Sequence, residues 1–191
     1  MSKFPRVAGV NYESVVDGEG VRAVIYFAGC LHNCPECQNA DIQDPNAGQE
    51  CTEELIKEIA DEINKRPFLR GITLSGGDPF YRPEKTLQFL ISLTGYLGDK
   101  LKIGTPDQFD LWIYTGYTWE QIVNQAEFNR DLTIIIMLDC LSVIVDGEFI
   151  SSQADKRLKF RGSRNQRLIN VRKSRNKSPD HPVIWRGRNE K

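Results

Sequence analysis

The sequence contains no hydrophobic run long enough to cross a lipid bilayer, which takes roughly 20 consecutive apolar residues. Its first ten residues, MSKFPRVAGV, also lack the apolar stretch of a secretory signal peptide. With 191 residues, 40% of them hydrophobic and 27% charged, the chain has the composition of one globular domain that buries its own core. We therefore expect a cytoplasmic protein that has no contact with a membrane.

The sequence also lacks the cysteine pattern of a disulfide framework. It contains five cysteines, an odd number, and Cys30, Cys34 and Cys37 lie within eight residues of one another. In a reducing compartment, such clustering favours a metal or redox site over disulfides. The other two, Cys51 and Cys140, stand before a predicted helix and within an apolar run, and we interpret them as small hydrophobic residues.

Acidic residues are scarce in the C-terminal part of the chain. Residues 151–191 hold 13 basic and 3 acidic side chains, whereas residues 1–150 hold 12 and 23. We predict a domain at residues 1–170 and a basic C-terminal extension at residues 171–191. Such an extension could attract phosphates or an acidic partner protein, or form a solvated terminus. Because few aromatic residues interrupt the basic ones, nucleic acid binding is disfavoured.

Segments rich in β-branched and aromatic residues alternate with segments of helical periodicity. The predicted strands lie within residues 21–29, 71–79, 111–117 and 142–145. The predicted helices lie at residues 52–65, 83–96 and 118–124. Thr52 is the expected N-cap of the first helix. Residues 134–138 are continuously apolar, so they are compatible with either a buried strand or a buried helix.

This alternation predicts an α/β fold with a parallel sheet and right-handed crossovers. A complete eight-stranded barrel takes about 250 residues, more than this chain provides, so we expect a partial, open barrel with mostly parallel strands. Loops at the carboxyl ends of such strands carry the working residues. The segments 30–37, 76–79 and 115–117 each follow a predicted strand, and we expect them to face one cleft.

The C-x3-C-x2-C spacing limits the chemistry of the cysteine loop. Three thiolates can hold three irons of a 4Fe-4S cluster and leave the fourth iron without a protein ligand. A structural zinc site would need a fourth ligand. The sequence offers His32, Cys51, Cys140 or His181 for that role. Three buried cysteines without a metal are the remaining alternative.

Several motifs, taken in order, resemble those of the radical S-adenosylmethionine (SAM) enzymes. They are the C-x3-C-x2-C loop after the first predicted strand and the GGDP turn at residues 76–79 after the second. DGEGVR at residues 17–22 resembles the entry motif of the glycyl-radical activating enzymes within that family. GCLHNCPECQN, TLSGGDP, WIYTGY, VDGEF and RGSRNQR are similar to motifs of the members that act on anaerobic (class III) ribonucleoside-triphosphate reductase. These motifs span most of residues 10–170.

The resemblance implies a partial radical SAM β/α barrel, a 4Fe-4S cluster on Cys30, Cys34 and Cys37, and SAM on the open iron. It implies that the turn at Gly76 and Gly77 receives the amino group of SAM. Asp78 would lie near that ammonium, although Asp after two glycines is also an ordinary turn former or helix cap. The segment of Glu36, Cys37 and Gln38 would lie along the adenine through its backbone, and Thr115 would contact the ribose or methionyl moiety.

The activity implied is that of an oxidoreductase similar to the activating enzyme of formate C-acetyltransferase. It would generate a glycyl radical on a loop of the reductase, with an external low-potential electron donor and with no acid–base pair of its own. The basic extension gives electrostatic docking to the reductase a physical route. Two alternatives stay open, namely a compact radical SAM enzyme for a small molecule and a non-enzymatic zinc module with a basic tail. The repeated FRG and WRG elements at Phe160 and Trp185 have no role that the sequence reveals.

Overall fold

A computed structural model describes residues 2–100, 109–175 and 177–187 of the chain. In these residues six strands form one sheet with the order β1-β2-β3-β4-β5-β6. The strands are β1 Val7–Ser14, β2 Arg22–Phe27, β3 Gly71–Gly76, β4 Asp110–Tyr114, β5 Val143–Asp146 and β6 Arg167–Asn170. Strands β2 to β5 are parallel, and the edge strands β1 and β6 are antiparallel to their neighbours. The sheet does not close on itself, so the predicted partial α/β barrel is confirmed.

Helices cover one face of the sheet. They are α1 Glu53–Asn64, α2 Pro83–Leu97, α3 Trp119–Val123, α4 Leu132–Cys140 and α5 Val171–Arg175. Helices α1 to α4 connect the parallel strands, and α5 follows β6. Short 3-10 turns form at Ala40–Ile42, Gly98–Lys100 and Ser151–Gln153, and a π-helical turn forms at Asn124–Phe128. None of the helices in the part of the chain that the structure describes is long and apolar enough to cross a membrane.

The two faces of the sheet have different chemistry because successive side chains of a strand point to opposite sides. In β3, Ile72 and Leu74 belong to the core between the sheet and the helices. The hydroxyl of Thr73 donates to the Asp17 carbonyl on the other face at 2.7 Å, and Ser75 lines a cleft there. The helices therefore stabilise one face and leave the other for a site.

The sequence predicted the central elements and missed the edges. Helix α1 begins after Thr52, whose hydroxyl accepts from the Leu55 N–H at 3.3 Å, as expected. The ambiguous run 134–138 is helical, since Asp131 caps α4 by accepting from the Thr133 N–H. The edge strands β1 and β6 were not predicted.

The C-terminal segment folds back onto the sheet. The Asn170 N–H donates to the Val183 carbonyl at 2.8 Å, and the Trp185 N–H donates to the Leu168 carbonyl at 2.7 Å. The Trp185 ring packs on Trp112 of β4 with centroids 4.8 Å apart. Residues on both sides of the predicted boundary at residue 170 are thus paired with each other.

The aromatic residues of the FRG and WRG elements meet on the face of the sheet opposite the helices. The rings of Phe160 and Trp112 lie 5.7 Å apart and those of Phe160 and Trp185 lie 6.2 Å apart. This three-ring cluster gives the repeated element a structural role. Residues 1 and 101–108 of the predicted domain, and residues 176 and 188–191 of the predicted extension, lie outside the described residues.

Candidate functional site

The three clustered cysteines lie on the loop that follows β2, at the carboxyl edge of the parallel strands. Cys30, Cys34 and Cys37 are partly buried and make no disulfide. The loop is anchored where the Cys30 N–H donates to the Gln43 carbonyl at 3.0 Å, and it tightens where the Cys37 N–H donates to the Cys34 carbonyl at 3.2 Å. One short segment therefore presents three thiols.

Backbone groups surround the sulfur atoms of these cysteines. The Asn39 N–H donates to Sγ of Cys37 at 3.4 Å. The backbone of His32 and Asn33 acts to lower the pKa of Cys30, and the backbone of Phe149 acts to lower the pKa of Cys34. Burial nevertheless raises the pKa of Cys30 to about 11, and burial also raises the pKa of Cys34. A metal that binds here must displace thiol protons. The Asn39 N–H would then tune the reduction potential of a bound cluster, because hydrogen bonds to sulfur are one determinant of that potential.

The glycine turn after β3 is joined to the start of the cysteine loop through the backbone. The Gly77 N–H donates to the Phe27 carbonyl at 2.7 Å, and the Asp78 N–H donates to the Gly29 carbonyl at 2.8 Å. A Cβ on Gly77 would overlap the Gly29 carbonyl, and Gly76 has a φ of +101° that side chains rarely adopt. The glycines are therefore required by this close approach to the cysteine loop as well as by their place in the cleft.

The carboxylate of Asp78 is buried and connects three loops. Each of its two oxygens lies 2.9 Å from the hydroxyl of Thr115, and Oδ2 also accepts the Gly116 N–H at 2.9 Å. The carboxylate also accepts the Phe80 N–H at 2.8 Å within its own turn. The turn-forming role that the sequence left open for Asp78 is present, and the same carboxylate also fixes the loop after β4.

His32 is the fourth contact of Asp78 and joins the cysteine loop to the rest of the site. Its Nε2 lies 3.0 Å from Oδ2 of Asp78, and its Nδ1 lies 3.1 Å from Oε1 of Glu148. Hydrogen bonding to Asp78, and less so to Glu148, raises the pKa of His32 against the opposing effect of burial. The His32 ring packs edge-to-face against Tyr117, with the ring centroids 4.5 Å apart. It occupies the space that a side chain at position 116 would need, which is open because residue 116 is glycine.

A cleft of about 870 Å³ opens on the face of the sheet opposite the helices. It is lined by the three cysteines and by loops after β2, β3, β4 and β5. The predicted cofactor residues that line it are Cys37, Gln38, Gly76, Gly77 and Thr115. Glu36 and Asp78 are not among its lining residues in the described parts of the chain. Glu36 instead forms the turn of the cysteine loop with a φ of 59°. Asp78 is buried behind the cleft wall, where it bonds Thr115 and Gly116 of the loop after β4.

The residues present fit a 4Fe-4S cluster with one open iron. Soft thiolates are the ligands that iron–sulfur clusters take, and three of them share one wall of the cleft. No three His, Cys, Asp or Glu side chains converge on one metal-ion position within residues 2–100, 109–175 and 177–187. A cubane does not require such convergence, because each thiolate binds a different iron.

Sequence reasoning missed several residues of this site. It treated His32 only as a strained zinc ligand, and it gave Glu148 and Phe149 no role. Two motifs in the sequence could have pointed to these residues: His32 lies inside the cysteine motif, and Glu148 and Phe149 belong to VDGEF. Their contacts span 116 residues of sequence between His32 and Glu148, so the pairing was visible only in the fold.

Comparisons with known proteins agree with this geometry. Residues 16–169 match a family model described as a 4Fe-4S single cluster domain. The "Anaerobic ribonucleoside-triphosphate reductase-activating protein" of Vibrio cholerae is 35% identical over 153 residues, which cover 80% of this chain and 89% of the relative. Proteins of the same name from Escherichia coli strain K12 and from Enterobacteria phage T4 are 32% and 34% identical, and each alignment covers 83% of this chain. The alignments cover 94% of the Escherichia coli protein and 93% of the phage protein.

The matched region contains the cysteine loop, the glycine turn and the loop after β4. Both the family model and the relatives extend over far more than half of the chain. The chain therefore belongs to the family of the anaerobic ribonucleoside-triphosphate reductase-activating proteins.

Proposed function

We propose that this protein is a radical SAM activating enzyme that generates a glycyl radical on an anaerobic (class III) ribonucleoside-triphosphate reductase. The observation that carries the proposal is the meeting of three unpaired thiols and a glycine turn in one cleft. The names of the relatives supply the reductase as the protein substrate. The reaction class is that of the activating enzyme of formate C-acetyltransferase.

Each part of the site has a distinct task in this proposal. Cys30, Cys34 and Cys37 would hold three irons of the cluster, and Gly76 and Gly77 would receive the amino group of SAM. Backbone at Glu36, Cys37 and Gln38 would lie along the adenine, and Thr115 would contact the ribose or methionyl part. Asp78 would position the cofactor-binding loops without contacting the cofactor, because its oxygens already accept from Thr115, Gly116 and Phe80.

A cluster held by Cys30, Cys34 and Cys37 would, together with SAM, supply the one-electron radical chemistry that removes a hydrogen atom from a glycine Cα of the substrate. The residues of this chain orient the groups and limit the access of water and competing hydrogen donors. The walls of the cleft suit that task, since the buried Asp78 network fixes the loops around it. An acid–base pair of the protein has no part in this reaction.

The remaining parts of the proposal concern partners and location. The glycine-bearing loop of the reductase enters the open cleft, and an external low-potential donor reduces the cluster. The protein acts in the cytoplasm, away from membranes, and does not bind nucleic acid. These statements follow from the motif resemblance and from the charge and cysteine pattern of the sequence.

Anaerobic reconstitution followed by electron paramagnetic resonance (EPR) tests the function. The protein is incubated with SAM, dithionite and the anaerobic reductase from the same genome. We expect about four irons per chain and a glycyl doublet on the reductase. Cys34→Ala should abolish the doublet, whereas Cys140→Ala, at a thiol on α4 outside the cleft, should retain it. A metal content of one zinc per chain with no doublet would overturn the proposal.

A further inference from the structure

One wall of the cleft is a compact loop that the cofactor chemistry does not require. Residues 154–163 leave the sheet after β5 and return before β6, and their ends pair through an antiparallel bridge between Ala154 and Ser163. A loop of this length with joined ends is an Ω-loop, a class that frequently carries function. We refer to residues 154–163 as the rim loop.

The rim loop is held in a fixed position. The hydroxyl of Tyr114 donates to the Phe160 carbonyl at 2.9 Å, and the Phe160 ring packs against Trp112. The side-chain oxygen of Gln166 accepts the N–H groups of Gly162 and Ser163 at 2.9 and 3.1 Å. The charges that this loop carries are therefore presented at a defined place along the cleft.

The charge that the rim loop turns to the cleft is positive. Lys156, Lys159 and Arg161 line the cleft, and both lysines are exposed. Neither lysine makes an ion pair among the described residues. Asp155 does not neutralise them, because its carboxylate pairs with Arg157 at 2.9 Å and with Arg164 at 3.0 Å. The two lysines are thus available to a ligand, while Arg161 donates to the Gln166 carbonyl at 2.8 Å and adds its charge to theirs.

The opposite edge of the sheet contributes an apolar surface to the same cleft. Val15 and Val16, in the connection between β1 and β2, line it with 64% and 69% of their surface exposed. Exposed apolar side chains beside a cleft are typical of contacts with a polypeptide.

We propose that the rim loop docks an acidic segment of the polypeptide substrate, through Lys156, Lys159 and Arg161, while Val15 and Val16 contact an apolar side chain of the same substrate. This inference rests on the proposed function and adds the chemistry of the segment that flanks the target glycine. It moves the electrostatic docking site from the basic C-terminal extension to the rim loop. Part of that extension is already occupied, since Val183 and Trp185 bond to β6.

A matched pair of charge reversals in the full-length, cluster-loaded protein tests the inference. The rim variant is Lys156→Glu/Lys159→Glu. The control is Lys173→Glu/Lys177→Glu, which reverses the same charge at exposed positions of the extension away from the cleft. The measurements are the Kd for the anaerobic reductase at low and high salt, the KM and kcat of glycyl-radical formation, and the Kd for SAM.

We expect the rim variant to raise the Kd and the KM for the reductase about tenfold at low salt, with a smaller effect at high salt. The control should stay within about twofold of the wild type, because exposed charges outside an interface contribute little. An equal loss in both variants, or a loss in the control alone, would overturn the inference. So would a rise in the Kd for SAM that matches the rise for the reductase.

The wild-type protein separates this inference from the proposed function. If the wild type forms the glycyl radical and the rim variant does so with an unchanged KM, the inference fails and the proposed function stands. If the wild type binds SAM but forms no radical on the reductase, the proposed function itself fails.

Discussion

Gly77 lies where the glycine turn and the cysteine loop come closest. A Cβ at this position would overlap the backbone carbonyl of Gly29, which cannot move without displacing Cys30 beside it. Gly95 provides the contrast, because nothing lies within 4 Å of a Cβ built there, in the last turn of α2. Glycine is therefore required by packing at position 77, whereas the space around position 95 would accommodate a side chain.

Gly77→Ala should lower the free energy of unfolding of the metal-free protein by about 1–3 kcal/mol, the usual cost of overpacking. Gly95→Ala should raise the same quantity by about 0.5–1 kcal/mol, since alanine is the better helix former. Anaerobic urea denaturation of both variants measures the effect. Equal shifts in the two variants would show that the contact between the turn and the cysteine loop is not as close as the structure has it.

His32 is tested by removing its polar contacts while retaining an aromatic ring against Tyr117. The side chain of Asp78 is 1% exposed, whereas that of Glu148 is 57% exposed. His32→Phe should lower the free energy of unfolding by about 1–3 kcal/mol, because it removes one partner of a buried carboxylate. Glu148→Gln should cost less than about 1 kcal/mol, as expected for an exposed pair.

The same two variants also report on the cluster loop when loaded with iron. Because His32 holds the loop of Cys30 and Cys34 against Asp78, His32→Phe should alter the EPR line shape of the reduced cluster more than Glu148→Gln does. An unchanged spectrum and an unchanged free energy of unfolding in His32→Phe would contradict the positioning role of this histidine.

At the scale of elements, Arg167 joins β6 to β5 and to α3. Its guanidinium bonds both carboxylate oxygens of Glu120, at 2.9 and 2.8 Å, and also pairs with Asp146 at the end of β5. Hydrogen bonding to Arg167 lowers the pKa of Glu120 below its usual 4.5. A lowered pKa in the folded state stabilises the protein above the unfolded-state pKa, and this stabilisation is lost as the pH falls through the folded-state pKa.

Arg167→Met should lower the free energy of unfolding by about 1–3 kcal/mol near neutral pH, because it leaves the buried Asp146 without its cation. The difference from the wild type should begin to narrow below about pH 4.5, where Glu120 of the unfolded chain becomes protonated, and should narrow further as the pH falls through the lowered pKa of Glu120 in the folded protein. Urea denaturation across this pH range measures it, with Lys173→Met as an exposed control. A difference that stays constant with pH would show that the pair with Glu120 contributes nothing.

The C-terminal segment contributes a second element-scale prediction. Trp185 packs on Trp112 and Phe160, while its neighbour Ile184 is 44% exposed. Trp185→Ala should lower the free energy of unfolding by about 1–3 kcal/mol, less than a fully buried tryptophan would. Ile184→Ala should change it by no more than about 0.5 kcal/mol. Thermal unfolding followed by circular dichroism distinguishes the two, and equal shifts would contradict the packing of Trp185.

At the scale of the whole molecule, the sequence predicted the centre of the site because parallel strands end at one edge of a sheet. That rule alone brought the cysteine loop and the glycine turn together. The buried strands and amphipathic helix α1 were predicted from hydrophobic periodicity. The placement of Cys51 in the core was also expected, and it is 2% exposed.

The parts that the sequence did not predict depend on long-range contacts or on weak local patterns. β6 has only four residues, and β1 mixes polar and apolar residues without strict alternation, so neither has a clear strand signature. The contacts of His32 with Asp78 and Glu148 join three loops distant in sequence. The return of Trp185 to Trp112 likewise depends on the completed sheet.

The central claim is that three cysteines hold a cluster whose fourth iron is free to bind SAM. Electron–nuclear double resonance of the reduced, reconstituted protein with SAM labelled with nitrogen-15 at its amino group tests it most directly. The account predicts a nitrogen-15 coupling to the cluster that is present with labelled SAM and absent from the same protein without SAM. A cluster signal that SAM leaves unchanged, or a protein that binds a single metal ion and no SAM, would contradict it.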